Sequence, residues 1–380
     1  MKKAGFLVAV AGAMLLVGAG CSSLPGEKQV TTGSYLPSRE ESGPIKVGWL
    51  GPLTGDAASV GQDTLKGAQL AVDEINAAGG VGGRKLELVV EDGKCNPKDA
   101  AQAGNKLINV DKVPVIFGGL CSGETTAVAP VAEQNKVLLI SGCSSAPSIT
   151  TAGEYVFRSY PSDLHQGKFA AEYVYNKLGK KKVATLAVLG DYGTGIKNAF
   201  EAAFKQLGGE IVLSQDYAQD ARDLKAQLTK VKGSGAELLY FVGYTEASIA
   251  GLKQAKELGL NLPMLGGDAW DDSKIHANSF AEGMMYTVYS ANTSDAWKAK
   301  LKDKGGNPTV CVPRTYDNVK LVSSLMKQAG PDATKLKDAL YGVKDYPGEA
   351  GPITFDGNGD PTFAQYDVKV VKYGKAEVMK

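Results

Sequence analysis

The sequence predicts an α/β protein built from two doubly wound lobes, each a parallel sheet covered by helices. Three observations lead there. From residue 45 onward, short strands of almost continuous aliphatic residues alternate with amphipathic stretches, the pattern of parallel sheets buried on both faces. The alternation restarts near residue 183 with the same order of parts. In both halves the strands run into glycine turns carrying polar residues, the place where doubly wound sheets gather their ligands.

The elements follow in order. "IKVGWL" (45–50) reads as a buried strand closed by Gly51-Pro52. Leu65, Ala68, Val72 and Ile75 recur at i, i+3, i+7 and i+10, one face of a helix that ends over 76–80. A strand is expected at 86–90, a helix at 100–110, a strand at 113–117, a helix at 125–135 and a strand at 137–141. The second half opens with a strand at 183–189, then "GDYGTG" and a helix through Gln206. Next come a strand at 211–213, a helix at 223–231, a strand at 237–242, a helix at 245–258, and a strand at 263–265 entering Gly266-Gly267-Asp268. Two late strands are expected at 353–355 and 366–371.

Two pairs of segments match in architecture rather than in residues. "PVIFGGLCSGETT" leads through a helix to "VLLISGCSSAP", and "ELLYFVGYTEAS" leads through a helix to "LPMLGGDAW". Six strand ends, at 51–60, 118–125, 142–147, 191–195, 243–246 and 266–270, would meet at one ligand between the lobes.

The amino terminus bears on compartment. Met1-Lys2-Lys3 precedes an uncharged run from 6 to 20, shorter than a membrane span, which reads as an export signal. Gly18-Ala19-Gly20-Cys21 resembles a bacterial lipobox, with Gly18 where leucine is usual. Residues 1–20 are thus expected to be a lipoprotein signal peptide, Cys21 the lipid anchor, and 21–43 a tether too polar to bury a core. The protein is expected to be exported and anchored to the envelope membrane on its periplasmic or extracellular face. Among the 380 residues, 43% are hydrophobic and 22% charged, with a net charge of +1. That balance gives no reason to expect a nucleic-acid partner. The stretch of about 335 residues after the tether is the length of two domains.

Several motifs admit more than one chemistry. Gly119-Leu120-Cys121-Ser122-Gly123 has the G-x-C-x-G form of a nucleophile elbow, which would make the chain a Cys-dependent hydrolase. The same turn can instead offer N–H groups and a hydroxyl to a carboxylate. His165 and His276 are the only histidines and neither has ligand spacing, so no metal and no cofactor are expected. The glycine run 79–83 follows a helix rather than a strand and reads as a turn. Asp356-Gly357-Asn358-Gly359-Asp360 opens like a calcium loop, but Pro361 stands at its sixth position and Asp367 at its twelfth, so a polar turn is expected. Cys95, Cys121, Cys143 and Cys311 suit disulfides in an exported protein and allow three pairings. The polar residues at the strand ends suit an amino-acid clamp: Ser122 and Ser145 for a carboxylate, Asp268 for an ammonium, and Tyr192 and Tyr244 as apolar faces with hydrogen-bonding tips.

From residue 45 to 371 the chain resembles the periplasmic branched-chain amino-acid-binding proteins of the leucine/isoleucine/valine type that feed ABC importers. The resemblance is carried by "GPLTGDAASVGQDTLKGAQLAVDEINAAGGVGGRKLELVVEDGKCNP", "GGLCSGETT", "LLISGCSSAPSIT" and "GDYGTG". It implies a type I periplasmic binding protein fold, with three crossovers near 158–161, 287–291 and 351–363. The lobes would then be 44–160 plus 290–352 and 161–289 plus 353–380. It implies a Cys95–Cys121 disulfide, and a ligand carboxylate held at Ser122 and Ser145. The ammonium is expected at the Cys143 carbonyl, the Ser145 hydroxyl and Asp268, with Tyr192 and Tyr244 closing from the second lobe. Val60 and Cys311 stand where relatives carry aromatics, and Glu124 and Trp270 are expected to enter the side-chain pocket. A second disulfide, Cys143–Cys311, is a further hypothesis. The resemblance implies a monomer that binds an amino acid or small amide and delivers it to an ABC permease, or a sensor of the same fold, and not an enzyme.

Overall fold

The structure, a computed structural model, describes residues 43–379. The export signal, Cys21 and nearly all of the tether lie outside the described residues. No helix among the described residues is long and apolar enough to cross a membrane.

The first half runs β1 (Ile45–Gly51), α1 (Ala58–Ala77), β2 (Leu86–Asp92), α2 (Pro97–Asn109), β3 (Val115–Phe117), α3 (Ser122–Asn135), β4 (Leu138–Ser141) and β5 (Val156–Arg158). The chain then crosses to α4 (Asp163–Glu172), β6 (Lys182–Val188), α5 (Asp191–Gln206), β7 (Glu210–Tyr217), α6 (Lys225–Gly233), β8 (Leu238–Val242), α7 (Thr245–Glu257), β9 (Met264–Gly266), α8 (Ser273–His276) and β10 (Met285–Tyr289). It returns as α9 (Asp295–Asp303), α10 (Val312–Ala329) and α11 (Ala333–Tyr341), and ends with β11 (Tyr366–Lys372) and β12 (Lys375–Val378).

Two sheets result. The first has the order β2-β1-β3-β4-β5, all parallel. The second has the order β12-β11-β10-β9-β8-β6-β7, parallel except for β11 and β12. Strand alternation explains how the first sheet fills two cores. Val115, Phe117, Leu138 and Ile140 face α1, α10 and α11, while Ile116 and Leu139 face α2 and α3. Each such fully buried side chain contributes about 1.5–3 kcal/mol relative to exposure. Trp297 and Leu301 of α9, with Val312, Val319 and Val322 of α10, complete the first lobe's core.

Differences from the sequence reading have local causes. β3 starts two residues late because Pro114 lacks the N–H a ladder needs; only its carbonyl is used, by Leu138. β7 is far longer than 211–213, since an edge strand can carry the polar run Ser214, Gln215 and Asp216 on its open side. The strand expected at 353–355 is replaced by isolated bridges, Tyr346 with Ile353 and Phe355 with Pro361. Ile353 and Phe355 lie in the first lobe's core, and Gly359 accepts from the Arg158 N–H at 3.0 Å. The stretch 353–360, read as part of the second lobe, therefore packs with the first. The turn at 356–360 is held by the Asp356 carboxylate, which accepts the Asn358 and Asp360 N–H groups.

Arg158 and Asp360 tie two crossovers together. The guanidinium is fully buried and reaches Asp360 by two 2.6 Å bonds, the Ala146 carbonyl at 2.8 Å and the Thr150 hydroxyl at 2.7 Å. Removing one member strands the other's charge, so Arg158→Ala is expected to lower stability by about 3–5 kcal/mol. The shift of the urea midpoint at unchanged m-value is the measurement that checks this.

Candidate functional site

The carboxyl ends of both sheets meet at a cavity with about 420 Å³ of empty space, the open space at its mouth included. The first lobe contributes Ala57 and Val60 around the start of α1, and Leu120, Cys121 and Ser122 at the β3–α3 turn. It adds Cys143 and Ser145 after β4, and Val310 and Cys311 before α10. The second lobe contributes Tyr192 of α5, Tyr244 and Thr245 at the start of α7, and Asp268 and Ala269 after β9.

One wall is built to donate hydrogen bonds. Ser122 is the first residue of the fourteen-residue helix α3, whose opening N–H groups have no partner within the helix and whose dipole favours an anion. The Ser122 hydroxyl accepts from the Ser145 and Ala146 N–H groups at 3.2 and 3.1 Å, which draws the two turns together. The opposite wall is acidic. Asp268 is buried and accepts from the Tyr192 hydroxyl at 2.8 Å; burial raises its pKa, and that hydrogen bond opposes the rise. Tyr192 and Tyr244 pack at 5.4 Å between ring centroids. Apart from Thr245, whose hydroxyl donates to Asp272, the remaining lining is apolar.

Both disulfides are present, Cys95–Cys121 and Cys143–Cys311. Cys121 is therefore half of a cystine, and the nucleophile reading is overturned. His276 is likewise structural: its Nε2 meets the Trp270 carbonyl at 2.9 Å. The Cys143–Cys311 bridge lines the cavity, since Cys311 caps α10 and brings that helix to the β4 turn.

Seven residues read from the sequence line the cavity: Val60, Ser122, Cys143, Ser145, Tyr192, Tyr244 and Asp268. Two do not. Glu124, expected to face the ligand, is fully buried behind the turn; its carboxylate accepts the Leu120, Cys121 and Cys95 N–H groups at 3.0, 2.9 and 3.0 Å. Gly93 packs on it so closely that a Cβ there would lie 2.2 Å from Oε1. Trp270 is also fully buried, donating to the Ser248 hydroxyl at 3.0 Å and packing edge-on against Phe241 in the second lobe's core. Small residues missed by the sequence reading, Ala57 and Ala269 among them, carry no chemical signal. Asp163, also missed, sits buried beside the site, its N–H donating to the Ser145 carbonyl at 2.8 Å.

The lobes are latched across the lips of the cleft. Asp56 pairs with Arg222, Ser59 donates to Asp272 at 2.5 Å, Thr126 donates to Asp191 at 2.5 Å, and Gln219 donates to the Cys95 carbonyl at 2.8 Å. This is the closed form of a cleft.

Two α/β lobes closed over a small cavity define a solute-binding protein of the type I periplasmic binding protein fold. The periplasmic binding protein family model matches residues 44–376, and the chain belongs to that family. It is 31% identical to the leucine-, isoleucine-, valine-, threonine- and alanine-binding protein of Pseudomonas aeruginosa, over 87% of this chain and 90% of that one. It is 29% identical to the Leu/Ile/Val-binding protein of Escherichia coli K12, over 83% and 88%. Among solved structures, the leucine-binding protein LivK of Thermotoga maritima superposes with a TM-score of 0.82 at 27% identity, covering 88% of this chain and 98% of that one. The branched-chain amino-acid substrate-binding protein LivJ of Streptococcus pneumoniae, in complex with isoleucine, gives 0.81 at 31%, covering 89% and 99%. These relatives are solute-binding proteins, not enzymes.

Glu124 supports a prediction that separates scaffold from ligand contact. Burial pushes its pKa up to about 7 against the pull of three N–H bonds. The folded protein then holds this proton more tightly than the unfolded chain, so the stabilisation is greatest below about 4.3 and is lost as pH rises to about 7. Glu124→Ala is expected to cost about 3 kcal/mol, with a wider gap from wild type at about pH 5 than at about pH 8. Urea unfolding at the two pH values checks both.

Proposed function

We propose that this chain captures an amino acid with an aliphatic side chain in the interlobe cavity and presents it to the membrane subunits of an ABC importer. One observation carries the reading: a closed cavity with hydrogen-bond donors on one wall, a buried carboxylate on the other and apolar residues between. The ligand's carboxylate would lie against the start of α3 and Ser145. Its ammonium would meet Asp268, the Ser145 hydroxyl and the Cys143 carbonyl. Its side chain would rest among Val60, Leu120, Val310 and the Cys143–Cys311 bridge. The names of the Pseudomonas aeruginosa and Streptococcus pneumoniae relatives, which specify such ligands, support this choice.

Binding works by selection of the closed state. Ser122 and Ser145 lie on one lobe, Tyr192, Tyr244 and Asp268 on the other, so only a ligand that satisfies both walls adds its binding energy to closure. A ligand lacking either charge leaves buried polar groups without partners, which costs about 1–3 kcal/mol each. Membrane anchoring through Cys21 would keep the protein beside its permease.

L-Leucine, L-isoleucine and L-valine are expected to raise the melting temperature, with about 2.7 kcal/mol of stabilisation at a hundredfold excess over Kd. Ser122→Ala is expected to weaken binding by about 10- to 100-fold. A thermal-shift screen with no response to any amino acid would sink the reading. Cys21→Ser is expected to abolish incorporation of labelled fatty acid and move the protein out of the membrane fraction; labelling that persists would rule the anchor out.

A further inference from the structure

Asp163 opens α4, immediately beyond the first crossover. Its side chain is fully buried, and among the described residues its carboxylate makes no well-formed hydrogen bond; the Ser145 hydroxyl is the one donor close enough to act on it. Its N–H donates to the Ser145 carbonyl at 2.8 Å, so it stands directly behind a residue that lines the cavity. The groups facing it come from every surrounding element. They are Asp268 after β9, Arg158 at the end of β5, the Ser145 hydroxyl, Tyr192 of α5, Tyr240 of β8, Tyr244 before α7 and Tyr366 of β11. His165, two residues on, is exposed. Tyr160 also faces Asp268, its hydroxyl near enough to act on that carboxylate as a donor.

Two acids therefore share one buried region, and Arg158, the cation beside them among the described residues, is already engaged. Arg158 gives Nε and Nη2 to Asp360 and Nη1 to the Ala146 carbonyl. Two buried carboxylates with no cation of their own do not both ionise.

We propose that Asp163 and Asp268 form one acidic cradle, which holds a proton when the cleft is empty and exchanges it for the ammonium group of the ligand. Asp163 is a positioning residue here: it acts through Asp268 and Ser145, which line the cavity. The exchange balances. The proton leaves to the solvent, the ligand keeps its ammonium protons, and the buried charge becomes two carboxylates facing one ammonium across the Ser145 hydroxyl. Burial and the neighbouring acid both hold the Asp163 pKa high, with burial the larger cause. The cradle thereby sets the ligand class. An ammonium drives the proton off, whereas a neutral amide or a simple carboxylate leaves it in place.

This inference rests on the amino-acid reading above, and calorimetry separates the two. L-Leucine is titrated into the purified protein in phosphate and in Tris at matched pH, and the difference in heat counts protons released. Release is expected to approach about one proton per ligand on the acid side and to fade as pH rises, with affinity increasing by up to about tenfold per pH unit. In Asp163→Asn only one titratable carboxyl is left in the cradle, so proton release per bound ligand and the pH dependence of affinity are expected to fall well below those of wild type, whatever the change in affinity itself. Leucine binding with no buffer-dependent heat in wild type overturns the cradle and leaves the amino-acid reading intact. So does full proton release in Asp163→Asn. Should that variant fail to fold, the wild-type measurement decides alone. Failure of leucine and every other amino acid to bind overturns both.

Discussion

The binding wall depends on one buried carboxylate. Glu124 accepts the N–H groups of Leu120, Cys121 and Cys95, and so joins the end of β2, the β3–α3 turn and the start of α3. Burial disfavours the charged form of this group and pushes its pKa up, against the pull of those N–H groups. The group is tolerated because several backbone donors converge on it, and a covalent bond between Cys95 and Cys121 spans the same two segments. Hydrogen bonds and disulfide together fix where α3 begins. That start is where Ser122 presents its hydroxyl and where the helix N–H groups face the cavity. Glycine at 93 is required for the same reason, since any side chain would collide with the carboxylate.

Charge is arranged differently in the second lobe. Asp268 carries a hydrogen bond from Tyr192, yet Asp163 nearby meets only the Ser145 hydroxyl, and not in a well-formed bond. A fold selected for stability alone would pair or remove such a group, because an unsatisfied buried carboxylate costs several kcal/mol. In the cradle proposed above, the ligand's ammonium would supply the missing countercharge. The contacts at the lips, from Asp56–Arg222 to Thr126–Asp191, hold the lobes shut, but they are exposed or half-buried and individually worth little. Closure therefore has to be secured by what lies inside.

How much of this was legible depends on the kind of signal. Helices and strands of the two repeats were readable because their apolar spacing is local, as with Leu65, Ala68, Val72 and Ile75. The hydroxyls and the acid at the strand ends were readable because doubly wound sheets place ligands there. Glu124 and Trp270 were misassigned although they sit within two residues of true lining positions. A helix turns by about 100° per residue, so two positions on from Ser122 the side chain points into the scaffold. Asp163 escaped notice for the opposite reason: it follows a crossover rather than a strand, and only the folded chain brings it behind Ser145. Val310 precedes a helix that returns from a distant part of the sequence, and nothing local announces it; its neighbour Cys311 was placed at the pocket only through the family resemblance.

Periodicity, glycine turns and residue type by themselves determined the class of fold, the repeat of two lobes and the chemistry available at the cleft. Those are properties of segments, set by the steric and hydrophobic demands of one strand or helix at a time. The tertiary structure alone decided which residue faces the cavity, how Cys143 and Cys311 meet across 168 positions of sequence, where the stretch 353–360 belongs, and that two acids share one buried site. Each of these is a relation between segments far apart in the chain, and such relations exist only once burial and closure have brought those segments together.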